Sequence, residues 1–146
     1  MKSDRLLLTA GILAIFTALV HVGLGTPSVQ PLLLGPALPL PVGLLLLVCW
    51  YMAGVALAVS GIAILWSARQ AERARTRPLL TVVASMWLLF GLVFVVVGLS
   101  FQGVRGLLLL PQWVLLVPVG MMTARGARRA GRAAKTGAVA APARPA

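Results

Sequence analysis

The stretch 42–68, VGLLLLVCWYMAGVALAVSGIAILWSA, decides the fold. Its 27 residues carry no formal charge, and its polar side chains are Cys49, Tyr51, Ser60 and Ser67. At about 1.5 Å of rise per residue a helix of this length crosses a hydrocarbon core of about 30 Å. The run stops at 69–77, RQAERARTR, with four arginines, so it also orients what flanks it.

Three further apolar runs surround it. Residues 6–24, LLLTAGILAIFTALVHVGL, follow a short basic head. Residues 79–99 follow Pro78, which suits the first turn of a helix. Residues 107–122, LLLLPQWVLLVPVGMM, are shorter and carry Pro111 and Pro118. The expected fold is all-α: a polytopic membrane protein, a four-helix bundle over 1–124 with both termini cytoplasmic. A basic head and an apolar run also describe a signal peptide. The length of 6–24 and the glycines at its end favour an uncleaved first helix over a leader ending near residue 25.

Composition agrees with the membrane class. Of the 146 residues, 60% are hydrophobic and 10% charged, and the mean hydropathy is +1.02. A soluble domain is about 25% charged. The net charge of +11 first suggests nucleic acid, but its placement argues for topology. Lys2, Arg5, Arg69, Arg73, Arg75, Arg77, Arg125, Arg128, Arg129, Arg132, Lys135 and Arg144 fall on one side of a four-span chain. Arg105 alone falls on the other. The implied location is a cell membrane, inner or cytoplasmic, and the composition resembles that of small bacterial four-span proteins.

Two segments stand outside the spans. Residues 26–41, TPSVQPLLLGPALPLP, hold five prolines, which argue against a regular helix and for a loop at the outer interface. Residues 125–146 are rich in Ala, Gly and Arg and read as a disordered basic tail.

Helices in lipid associate through small residues that let backbones approach. Three runs offer such stripes: Ala10, Ala14 and Ala18; Gly54, Ala58 and Gly61; Ala84, Gly91 and Gly98. Trp66 and Trp113 suit interfacial belts, while Trp50, Tyr51 and Trp87 lie deeper and need partners for their polar atoms.

His21 is the single histidine, on the face of Ala14 and Ala18. An ionisable residue within a span is a functional candidate by default, although a structural hydrogen bond explains it as well. A ligand pocket near the outer leaflet would draw on His21, Tyr51, Trp50, Gln112 and Arg105, with Ser100 and Gln102 at similar depth. The only acidic residues, Asp4 and Glu72, lie outside the spans. No carboxylate pair, Ser-His-Asp set, phosphate loop or zinc ligand set can be assembled. Cys49 has no second cysteine to pair with. The residues therefore point away from an enzyme and name no metal or cofactor.

Two functional readings follow. The first is a structural or accessory membrane protein that associates through its helices with a partner or a second copy. The alternative is a binder or carrier of a small or lipidic ligand at the His21 and Tyr51 pocket. Arg69, Arg73, Arg75, Arg77 and the tail suit anionic lipid headgroups. Nucleic acid is not expected, because no aromatic residue interleaves with the tail arginines.

Overall fold

The computed structural model describes residues 4–70 and 73–139, the side chains of 73, 74 and 133–139 excepted. Every regular element among them is helical: α1 (Arg5–Leu19), a π-helical segment (Val20–Gly25), α2 (Thr26–Leu33), α3 (Leu40–Arg69), α4 (Arg73–Gln102), α5 (Val104–Leu109) and α6 (Trp113–Val139). Three stretches are long and apolar enough to cross a membrane: Arg5–Leu33, Leu40–Arg69 and Arg75–Gln102, with hydropathies of 2.2, 2.4 and 2.6.

The first of these runs past its expected end. Asp4 caps α1, its Oδ1 accepting from the backbone N–H of Leu6 at 3.0 Å and of Leu7 at 3.4 Å. The helix then loosens into the π segment and tightens again as α2. The expectation of a non-helical 26–41 is thus corrected over its first half. Pro27 lies in the first turn of α2, directly after the π segment. Pro31 breaks only one more bond, and the helix stops two residues later, at Leu33. Pro36 and Pro39 remain in the connection, and Pro41 sits in the first turn of α3.

Two seams hold the helices together. α1 packs along α3, and α4 packs along α6. α1 also touches α6, and α3 meets α4 more sparsely. On the first seam Gly61 faces Ala14 and Ile15, and Gly54 faces His21 and Val22; an added Cβ would come within 2.8 Å of Ile15 Cδ1 and 2.7 Å of Val22 Cγ2. Ala14 and Ala18 are buried there, and Ala58 is half-buried. On the second seam Gly91 faces Val117, and Gly120 faces Leu88. Ala84 is buried on α4, while Gly98 meets the backbone of Gly106 in α5. Leu7, Ile64, Leu80, Trp87 and Val119 are fully buried between the seams.

Trp87 finds the partner its position requires. Its indole N–H donates to Ser60 Oγ at 2.9 Å, and Ser60 donates in turn to Leu57 O at 2.9 Å. This chain of bonds ties α4 to α3, a pair in sparser contact than either seam.

Other expected boundaries move. α4 begins at Arg73, so Pro78 lies inside a helix and not in its first turn. α4 continues to Gln102, and the reversal is made by Gly103 alone, at φ 58° and ψ −149°. The expected run 107–122 is not one helix. It comprises the end of α5, a break over 110–112 and the first part of α6. Pro111 explains the break: Leu107 O has no N–H four residues on, and Trp113 supplies the missing donor through its indole at 3.0 Å.

The expected disordered tail is helical as far as Val139. Ala and Arg are strong helix formers, and the glycines are used for contact. Gly126 lies against Leu7, Gly131 lies against the Arg77 guanidinium, and Ala127 and Ala130 are buried beside them. Lys2, Glu72, Arg144 and residues 140–146 lie outside the described residues, as does the side chain of Arg73.

Candidate ligand cavity

At the end of the helices away from Asp4 the two seams part around a cavity of about 560 Å³. Ligand cavities span about 300–1,000 Å³. The four walls are the π segment with flanking turns, the middle of α3, the second half of α4, and the 110–112 break with the start of α6. Leu57, Phe90, Phe94 and Leu116 make much of the surface apolar. The polar side chains on the wall are Thr17, His21, Trp50 and Gln112. No Asp, Glu, Lys or Arg is among the lining residues.

The π segment builds the wall around His21. A wider turn places His21, Gly25 and Thr26 together against Trp50 of α3. The His21 ring stacks on the Trp50 indole, centroids 3.9 Å apart and planes at 22°. His21 Nε2 lies 3.0 Å from Trp50 O. A carbonyl oxygen only accepts, so the ring donates from Nε2 and its neutral form keeps Nδ1 as an acceptor. Gly54 packs against the same turn: a Cβ there would stand 2.7 Å from Val22 Cγ2 and in ordinary contact, 3.4 Å, with His21 Cδ2. The Trp50 indole lies across Gly25 and donates to Thr26 Oγ1 at 3.0 Å.

The expected site is partly redrawn. His21, Trp50 and Gln112 line the cavity. Tyr51 does not: one residue on from Trp50 in a helix turns a side chain by about 100°, and Tyr51 is 42% exposed on the outside of α3. Arg105, Ser100 and Gln102 are exposed and also lie off the wall, because α4 and α5 carry them past its rim. Cys49 is exposed. Phe90 and Phe94, one helical turn apart, and Thr17, one turn before His21, also line the cavity, and helical spacing aligns each pair. Thr26 had no such signal, because its place depends on the π turn.

Among the described residues no three His, Cys, Asp or Glu side chains converge. No family model, curated protein or solved structure matches the chain.

Proposed function

We propose that this is a multi-pass protein of the cell membrane that holds a small or lipidic ligand in the cavity beside His21. The cavity carries this reading: it is large, mostly apolar, and walled by all four long helical segments. In this reading α1–α2, α3 and α4 each span the bilayer, and the 107–122 segment completes a four-helix bundle. Its break at 110–112 lines the cavity, the setting in which irregular backbone is tolerated at membrane depth. Twelve of the thirteen basic residues then lie at one end, which favours cytoplasmic termini and an outer-leaflet cavity. Exposed Arg69, Arg75 and Arg77 would meet anionic lipid headgroups at the cytoplasmic face.

The accessory reading, association of helices with a partner or a second copy, has less support. The stripe residues Gly54, Gly61, Gly91 and Gly98 all face other parts of the same chain. The exposed face of α3 carries large side chains such as Leu45, Met52, Val55, Val59 and Ile62, which suit contact with lipid tails.

Lipid extraction and mass spectrometry of the protein purified from its membrane test the proposal. Wild type retains a ligand that Ala53→Trp, with a large ring added to the cavity wall, releases while remaining folded. Equal retention by the two proteins, or none by wild type, would remove it.

A further inference from the structure

The ligand's chemistry can be narrowed by asking which hydrogen-bonding groups on the wall are already used; the inference rests on the ligand-binding reading above. Three of the four polar side chains facing the cavity have their donors engaged within the protein. Thr17 Oγ1 donates to Leu13 O at 2.8 Å. His21 Nε2 is directed at Trp50 O. The Trp50 indole N–H is given to Thr26 Oγ1. What these groups retain is acceptor capacity: the lone pairs of Thr17 Oγ1 and Nδ1 of His21. Gln112 alone adds a side-chain donor, and it brings an acceptor too.

Charge points the same way. A carboxylate or phosphate headgroup would find no Lys or Arg on the wall, and an ammonium would find no Asp or Glu. A charge buried without a partner is strongly disfavoured. We infer that the cavity selects an uncharged headgroup that donates a hydrogen bond, such as an alcohol, a phenol or a primary amide, on an apolar chain. A ketone, ester or ether head of the same size is disfavoured beside Thr17 and His21, where its acceptor faces acceptors, and has only Gln112 among the wall side chains to donate to it.

Photolabelling in lipid nanodiscs tests this. The probes are a diazirine-bearing dodecanol, its methyl ether, the matching carboxylate and the matching primary amine, with labelled peptides mapped by mass spectrometry. The expected result is labelling at the Trp50, Phe94 and Leu115 peptides by the alcohol, about fivefold or more above each other probe, the factor of one net hydrogen bond. Thr17→Val and His21→Phe each narrow the alcohol's advantage over the ether, the ratio of the two being the readout. If the ether labels these peptides as well as the alcohol does, donor selectivity is refuted; if the carboxylate or the amine does, the exclusion of charge is refuted; in each case ligand binding stands. If no probe labels them above the level of Ala53→Trp, the binding reading itself fails.

Discussion

His21 and Trp50 form a double contact across the α1–α3 seam: their rings stack at 3.9 Å, and His21 Nε2 reaches the Trp50 carbonyl at 3.0 Å. The indole is thus fixed by a ring on one face and by Thr26 at its N–H. The same pair forms one wall of the cavity. A structural and a ligand-directed role for His21 therefore coincide in a single geometry.

Gly25 and Gly23 should respond oppositely to alanine. A Cβ at Gly25 would lie 2.6 Å from Trp50 Cζ2, whereas at Gly23 it meets nothing within 4 Å. Gly25→Ala displaces the indole and costs roughly 1–3 kcal/mol, as overpacking does. Gly23→Ala is neutral or slightly stabilising, since alanine is the better helix former. Thermal denaturation in detergent with tryptophan fluorescence as readout checks the pair; equal melting temperatures for the two variants would contradict it.

Ser60 and Trp87 should prove energetically coupled. Ser60→Ala leaves the buried indole N–H unpaired, at a cost of about 1–3 kcal/mol. Trp87→Phe removes the donor and some volume. Once it is made, Ser60→Ala should cost little more, so the double variant is less destabilised than the singles summed. Steric trapping or denaturant titration of the four proteins gives the coupling, and strict additivity would count against the bond.

Gly103 turns the chain between α4 and α5 with φ 58° and ψ −149°, a region open essentially to glycine. Gly103→Ala should cost roughly 1–3 kcal/mol although nothing crowds its Cβ position. Exchange of deuterium at α5 amides should rise in this variant; unchanged protection with unchanged stability would exclude the strain.

Trp113→Phe tests the repair of the helix break. It keeps an aromatic ring at the start of α6 and deletes the donor to Leu107 O. The expected loss is about 1–2 kcal/mol, because the carbonyl regains no backbone donor while Pro111 stands at its fourth following residue. Pro111→Ala combined with Trp113→Phe should recover part of that loss, since residue 111 then has an N–H to give. An equal melting temperature in wild type and Trp113→Phe would show that water already satisfies the carbonyl.

Much of the packing was written in the small residues. Ala14, Ala18, Gly54, Gly61, Gly91 and Gly98 sit where helices approach most closely, as their spacing along a helix face implies. The site was only half legible. His21 is set apart by being the sole histidine, and Trp50 and Gln112 by depth. Tyr51 and Arg105 were placed by depth as well, and depth alone does not give azimuth. Adjacent residues such as Trp50 and Tyr51 point about 100° apart, so the rotation of α3 about its axis decides which one meets the cavity.

What the sequence determined by itself is the membrane-class, all-helical character. Long uncharged runs cannot be left in water, and in lipid their backbone must bond within itself. What tertiary structure decided is where the runs bend and stop. Proline rules predicted an irregular 26–41 and a helix starting at Pro78, yet helices pass through Pro27, Pro31 and Pro78. A break did form before α6, where Pro111 leaves Leu107 O to the Trp113 indole. The π segment at Val20–Gly25, which brings His21, Gly25 and Thr26 onto one indole, answers to no local pattern in the chain. It is held by contacts with residues about thirty positions away, and those exist only once α1 and α3 have packed.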